Sequence, residues 1–350
     1  MVDWLAGKRI KGTSSERTTL QDPILGGTGV GGWVELGRHT LTQAGDTLAV
    51  TNLANKRYYM VLIKILHSGA YNPYLRFNND SGGNYSERWE FNGSEGTSIN
   101  QTELHSNFGG SAEPAFTVLH ITNFSGKQKY VLRDMVYGSN TTIFRGRSSG
   151  KWANLNDTIS SIGLYNSGNG DFSIGSEMVV LGYDPADTHT TNFWQELHSD
   201  SQTGQTVDNI DSGTFTNKKY LWAQLWVKGT ANTTVKCTFN NSTDSTYAYR
   251  YSNNGASDTA ITSGASNVPL HNTKANATKF INMFIENDGS NEPLVMSFCA
   301  EDGGSGATVD PDRRETVFKR STTTAITDIE FDNDDTGDFT DWEFKIWGSD

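Results

Sequence analysis

Long apolar runs are missing from this sequence of 350 residues. No segment approaches the roughly 18 consecutive apolar residues that a membrane-spanning helix requires. Residues 1–11 also lack the apolar core of a secretory signal peptide. We therefore expect a chain that is synthesised in the cytoplasm, with no membrane partner.

Positive charge is scarce. The chain has 28 Lys and Arg residues against 40 Asp and Glu residues, which gives a formal net charge of −12. Binding to a nucleic-acid backbone requires a basic face that displaces counterions from the phosphates. The charge balance therefore argues against a nucleic-acid partner, and it favours solubility through repulsion between copies.

The residue patterns of common catalytic and metal sites are rare. Cys237 and Cys299 are the only cysteines, so we predict half-buried thiols and no disulfide framework. The seven histidines are scattered, with no HExxH motif for zinc. Residues 146–150 have the spacing of a nucleophile elbow but lie in a β pattern, and the glycine-rich residues 27–32 lack the strand and helix of a dinucleotide site. We predict that the protein is not an enzyme.

Short apolar runs separated by turn residues fill most of the chain. Hydrophobic residues make up only 35% of it, and 36 glycines lie with Ser, Thr, Asn and Asp between the runs. Trp342, Phe344 and Ile346 alternate with charged residues, which is the period of a half-buried strand. Residues 58–66 and 220–227 are almost continuously apolar, as in central strands covered on both faces. These patterns predict an all-β protein.

Two diverged copies of one pattern follow each other at an offset of 162 residues. Residues 55–58 (NKRY) align with residues 217–220 (NKKY), and residues 77–79 and 239–241 are both Phe-Asn-Asn. Because this period exceeds the roughly 20 to 50 residues of solenoid repeats, each copy should be a complete domain. About eight to ten strand candidates per copy, separated by turns, predict a β-sandwich of jelly-roll or immunoglobulin-like type, and of these two we expect the jelly-roll-like one.

The matches divide the chain into four parts. Residues 33–184 and 194–350 are predicted to form two tandem β-sandwich domains, joined by a short polar linker at residues 185–193. Residues 1–32 belong to neither copy and are predicted to form an extended N-terminal arm.

The arm concentrates positive charge on an otherwise acidic chain, at Lys8, Arg9, Lys11 and Arg17. A segment of this kind can lie across an acidic neighbouring subunit and hold an assembly together. We therefore predict an assembly arm, with a merely disordered terminus as the alternative.

The first copy resembles uncharacterised virion structural proteins of marine tailed phages. The resemblance spans most of residues 1–184 and rests on residues 33–38 (WVELGR), 44–48 (AGDTL), 76–82 (RFNNDSG), 150–154 (GKWAN) and 170–177 (GDFSIGSE). It implies a β-sandwich repeated in the surface proteins of virions, and it carries no catalytic residues. The second copy has lost the GKWAN run, so a shared fold is implied for the two halves and a shared ligand is not.

Three functions follow from these features. We expect a virion surface protein, as a capsid decoration or turret subunit or a tail-fibre component, made in the host cytoplasm. Its expected partners are further copies of itself, in a homo-oligomer that we take to be a trimer, other virion proteins and a host-surface glycan. The alternatives are a double jelly-roll major capsid protein and a lectin-like pair of carbohydrate-binding modules.

One acidic loop has the spacing of a calcium site. Asp332, Asp334, Thr336, Asp338 and Glu343 occupy the positions of EF-hand ligands. The flanking segments have strand patterns, however, whereas an EF-hand needs helices. The sequence therefore leaves open a Ca²⁺ site of the second domain and an ordinary acidic turn.

Aromatic side chains are plentiful enough to serve either as core or as stacking platforms for sugar rings. The sequence does not show which rings are exposed, so no glycan-binding aromatic is assigned. The tryptophans in question are Trp89, Trp152, Trp194, Trp222, Trp226 and Trp342.

Overall fold

The structure is a computed structural model in which every regular element of the described residues is a β-strand. The described residues are 32–69, 72–105, 114–138, 142–168, 170–184, 192–271, 274–275, 277–302, 310–333 and 335–350. The fold is all-β, with two β-sandwiches in tandem, as predicted. The predicted arm lies outside the described residues, apart from its last residue, and so do most of the linker residues.

The first sandwich contains twelve strands. Its strands are β1 (Val34–Thr40), β2 (Thr47–Val50), β3 (Tyr58–Ile65), β4 (Pro73–Phe77), β5 (Tyr85–Phe91), β6 (Ser94–Gln101), β7 (Leu104–His105), β8 (Ala115–Thr122), β9 (Lys129–Gly138), β10 (Ile143–Trp152), β11 (Ile162–Asn166) and β12 (Glu177–Tyr183). An eight-stranded sheet has the order β1-β12-β3-β8-β9-β10-β5-β6, and a four-stranded sheet has the order β2-β11-β4-β7. All pairings are antiparallel.

The second sandwich repeats this arrangement. Its strands are β13 (Gln195–Gln202), β14 (Asn209–Asp211), β15 (Tyr220–Gly229), β16 (Asn232–Thr233), β17 (Lys236–Phe239), β18 (Tyr247–Asn253), β19 (Thr259–Ala265), β20 (Val268–Pro269), β21 (Lys274–Ala275), β22 (Thr278–Glu286), β23 (Leu294–Glu301), β24 (Asp312–Arg320), β25 (Ile329–Asp332) and β26 (Phe339–Ser349). The sheets run β13-β26-β15-β22-β23-β24-β18-β19 and β14-β25-β17-β20, which is the strand order of the first sandwich. A short β16-β21 ribbon is added.

Residues shared by the two copies perform the same structural tasks. Asn78 and Asn240 both lie in the left-handed region, with φ of 53° and 55°, which asparagine tolerates in turns. The Oδ1 of Asn78 accepts from the backbone N–H of Ser161 at 3.0 Å, and the Oδ1 of Asn240 accepts from that of Thr327 at 2.8 Å. Each asparagine therefore fastens its turn to the strand that enters the same four-stranded sheet, β11 in one copy and β25 in the other.

The two strands expected to be covered on both faces are central. β3 and β15 are each the third strand of an eight-stranded sheet. In β3, Tyr59, Val61 and Ile63 belong to the core of the first sandwich, whereas Met60 and Leu62 point away from it and are buried as well. The second cover of these strands is the other domain.

Candidate functional site: the groove between the sandwiches

The two eight-stranded sheets pack face to face through their outer surfaces. Sixteen buried apolar residues form this interdomain core: the first domain supplies eight of them, the second domain seven, and the linker one, Phe193. Because successive side chains of a strand point to opposite faces, these residues alternate with those of the two sandwich cores. The sheets thus lie in the order four, eight, eight and four strands. The core consists of Met60, Leu62, Phe116, Val118, Val136, Ile143, Val179, Leu181, Phe193, Trp194, Tyr220, Phe284, Leu294, Met296, Val317 and Trp347.

Arg145 is the centre of an ion-pair network at one border of this core. Its guanidinium lies 2.7 Å from carboxylate oxygens of Glu90, Asp258 and Glu315, and only 3% of the side chain is exposed. Burial alone would lower the pKa of Arg145, but the hydrogen bond and charge of Asp258, with the charges of Glu90 and Glu315, raise it above the usual value. Arg145 and Glu90 come from the first domain and the other two carboxylates from the second, so the network joins the domains.

Glu177 occupies the opposite border. It accepts hydrogen bonds from the Nζ of Lys219 and the hydroxyl of Tyr220, both at 2.7 Å, and from Arg38 at 3.4 Å. Burial would raise the pKa of Glu177, but the hydrogen bonds from Lys219, Thr40 and Tyr220 hold it below its usual value. This carboxylate is therefore ionised at neutral pH.

His120 contacts Phe284 across the interface, with ring centroids 6.0 Å apart, and it also lines a groove with a volume of about 350 Å³. A second cavity of about 190 Å³ shares Glu90, Glu95 and Arg147 with this groove. Arg313 of the second domain lines both cavities. Burial lowers the pKa of His120, so this residue is neutral at the inner end of the groove at neutral pH.

The outer face of β5, β9 and β10 forms the floor of the groove. Arg88, Ser149 and Leu132 are direct cross-strand neighbours in adjacent strands, and Arg147 lies beside Asp134 in the next row. The Nε of Arg147 donates to Asp134 at 2.9 Å, and the guanidinium also pairs with Glu315 and lies over the ring of Phe298. Arg147 is thus fixed between the two domains.

Hydrogen bonds to an asparagine account for the shape of the predicted calcium loop. The Oδ1 of Asn333 accepts from the backbone N–H of Thr234 at 2.9 Å, and its Nδ2 donates to the carbonyl of Gly337. Asn166 makes the corresponding bonds in the first copy, to Asn72 and Gly170, although that loop lacks the acids. The same hydrogen bonds therefore hold the described part of the loop in both copies.

The structure does not bring the five predicted calcium ligands together. Glu343 points away from the sandwich, because its neighbours Trp342 and Phe344 fill the core, and it pairs with Lys345 at 3.2 Å. Asp332 lies in the four-stranded sheet across that core and accepts from Asn209 at 3.0 Å. Within the described residues no group of three His, Cys, Asp or Glu side chains is placed to hold a metal ion. Asp334 lies outside them, and calcium binding by this loop stays a prediction.

The remaining sequence motifs are structural where they are described. Residues 146–150 form part of the regular strand β10, so they make no nucleophile elbow. Cys237 and Cys299 are free and buried, and burial raises the pKa of both thiols. Lys8, Arg9, Lys11 and Arg17 lie outside the described residues. Within those residues no helix has the length and apolar character to cross a bilayer.

Most of the tryptophans considered as sugar platforms belong to the cores. Trp152, Trp194 and Trp342 are buried, whereas Trp226 is exposed. Other exposed rings are Tyr130 on β9 and, in the eight-stranded sheet of the second domain, the cross-strand pair Trp226 and Phe280.

Comparisons with known proteins leave the chain without a family. No family model matches the sequence, and no curated protein matches it. Among solved structures the chain is similar to the LG1-3 region of the laminin alpha2 chain, with 6% identity over 87% of this chain and a TM-score of 0.22. The match covers 64% of that laminin chain, and a likeness this low carries no argument about function.

Proposed function

We propose that the protein is a non-enzymatic structural protein of a virion surface, as a capsid decoration or turret subunit or a tail-fibre component. The observation that carries the proposal is the face-to-face fusion of the two sandwiches through sixteen buried apolar residues. Tandem domains move relative to each other unless their interface is large and hydrophobic. A rigid body of this kind suits a protein whose task is to project from or brace a particle.

The surfaces that remain free after this fusion support assembly with other chains. Each eight-stranded sheet ends in edge strands, β1 and β6 in the first domain and β13 and β19 in the second. Unpaired edges offer backbone donors and acceptors to a neighbouring chain. Together with the basic arm, they favour a homo-oligomer, proposed to be a trimer, that also binds other virion proteins.

The role of the arm is tested by deleting residues 1–22. The shortened protein should lose its oligomeric state while its thermal unfolding midpoint stays unchanged, because both sandwiches begin after the deletion. Mass photometry measures the first property and differential scanning fluorimetry the second. Unchanged oligomerisation would refute the assembly arm.

Negative-stain microscopy of the purified protein and of its parent particle tests the wider proposal. Projecting knobs or fibres labelled by an antibody against this chain are the expected result. A closed shell formed by this chain alone would favour the double jelly-roll capsid protein instead, and a particle without the chain would overturn a virion role.

A further inference from the structure

The groove between the sandwiches presents polar side chains that have no partner among the residues that the structure describes. Arg88, Glu95 and Ser149 line it, and their side chains make no hydrogen bond or ion pair with any part of the chain that the structure describes. By contrast, Arg147 and Glu90 in the same groove are held by ion pairs. Free donors and acceptors beside a fixed frame are the arrangement of a ligand site.

The charges in the groove select the class of ligand. The lining of the larger cavity includes both charges, from four arginines and three acids: Arg88, Arg133, Arg147, Arg313, Glu90, Glu95 and Asp134. A strongly anionic ligand would meet the carboxylates, and a cationic ligand would meet the guanidinium groups. A neutral ligand that carries many hydroxyl groups can donate to the carboxylates and accept from the arginines, so it satisfies both sets.

An apolar wall adjoins these polar groups. Leu132 lines the groove and is 57% exposed, and Tyr130, two residues away on the same face of β9, is 55% exposed. An exposed apolar surface rimmed by polar residues is one feature of a ligand-binding groove. The ring of Tyr130 offers a flat surface to the C–H face of a sugar ring, and the volume of about 350 Å³ lies in the range of small-molecule sites.

We propose that this groove binds a neutral oligosaccharide, with Arg88, Glu95 and Ser149 on its hydroxyl groups and Tyr130 and Leu132 against its apolar face. The proposed ligand contacts all come from the first domain, with Arg313 of the second domain at the border of the groove. In the second copy Arg250 holds the register position of Arg88, but it donates to the carbonyl of Ile143 at 2.8 Å and pairs with Asp258. This proposal does not depend on a virion role.

The test uses the full chain on an array that carries neutral oligosaccharides of glucose, galactose, mannose and N-acetylglucosamine together with sialylated and sulfated ones. Isothermal titration calorimetry then measures the affinity for the strongest array probe. We expect selective binding to neutral glycans. R88A and Y130A should each weaken the affinity about tenfold, as loss of a charged hydrogen bond or a stacking ring does.

Matched controls separate the groove from general effects of surface change. R57A is the control for R88A, because it removes a half-exposed arginine that pairs with Asp184. I174A is the control for Y130A, because the exposed fraction of Ile174 is similar to that of Tyr130. Neither residue lines the groove, so both variants should bind like the wild type. Absence of binding to neutral glycans, binding to charged glycans alone, or unchanged affinity in R88A and Y130A would each overturn the proposal.

Discussion

At the scale of single residues, buried asparagines explain how two diverged sequences keep one fold. The Nδ2 of Asn123 donates to Asn55, to the carbonyl of Lys56 and to the hydroxyl of Tyr59, and its Oδ1 accepts from the N–H of Ile159 at 2.8 Å. Asn287 bonds in the same way to Asn217, to the carbonyl of Lys218 and to the N–H of Ile326, but its further donor bond goes to the carbonyl of Ile326, because the second copy has Leu221 in place of Tyr59. One side chain thus satisfies several groups that water does not reach.

Replacement of either asparagine by alanine should be strongly destabilising. N123A and N287A each leave buried donors and acceptors without partners, which costs about 2 to 4 kcal/mol. Urea unfolding followed by tryptophan fluorescence measures the change. N156A serves as the control, because Asn156 is exposed and its side chain makes no hydrogen bond within the described residues. A loss below about 1 kcal/mol in both buried variants would contradict this account.

At the scale of strands, the alternation of apolar and polar residues predicted the β-sandwich. For some strands, however, it did not show which face is buried. In β9, the apolar residues Tyr130 and Leu132 are exposed. Arg133 points inward instead, on the same face as Val131 and Met135, and pairs with Glu87 at 3.4 Å. Both faces of this strand carry apolar residues, so alternation alone does not show which one is buried.

The candidate site was not predictable for a related reason. The polar residues of its floor lie on β5 and β10, which are neighbours only in the folded sheet. The continuous apolar run of β3 did indicate a cover on both faces, but a sequence does not state that the cover is the other domain. Neither the groove nor its exposed tyrosine follows from the pattern of one strand.

The ion-pair network around Arg145 predicts how much this residue stabilises the interface between the domains. R145M removes the cation shared by Glu90, Asp258 and Glu315 and leaves only Arg250 beside Asp258 and Arg147 beside Glu315, which should destabilise the protein by about 3 kcal/mol. Chemical denaturation measures this loss, and limited proteolysis should show cleavage between the domains. R76A is the control, since Arg76 pairs with Glu103 inside one domain at a partly exposed site and should cost about 1 kcal/mol or less. Equal effects of the two variants would disprove a special role for the network.

At the scale of the whole molecule, the docking of the domains should weaken in acid. The pKa of Glu177 is lower in the folded protein than in the unfolded chain, so its contribution is complete above the unfolded value of about 4.3. This contribution to stability is lost as the pH falls through the lower pKa of the folded protein. The reason is that the carboxylate of the unfolded chain binds a proton more tightly than the carboxylate of the folded protein does.

The variant E177Q tests this sign. It should be about 1 to 3 kcal/mol less stable than the wild type at pH 7, and the difference should shrink steadily below about pH 4. Thermal unfolding of both proteins between pH 7 and pH 3 provides the measurement. A difference that stays constant over this range would exclude the proposed linkage.

Two contacts at the interface join residues that occupy equivalent positions in the two copies. His120 and Phe284 hold the same register position, as do Arg147 and Glu315, and each residue touches its counterpart. Residues that meet their own equivalents lie near a twofold axis. A homodimer of a single copy would have to set identical side chains against each other there, arginine against arginine. In one polypeptide the two halves can differ in sequence, so Arg147 of the first copy meets Glu315 of the second near the axis.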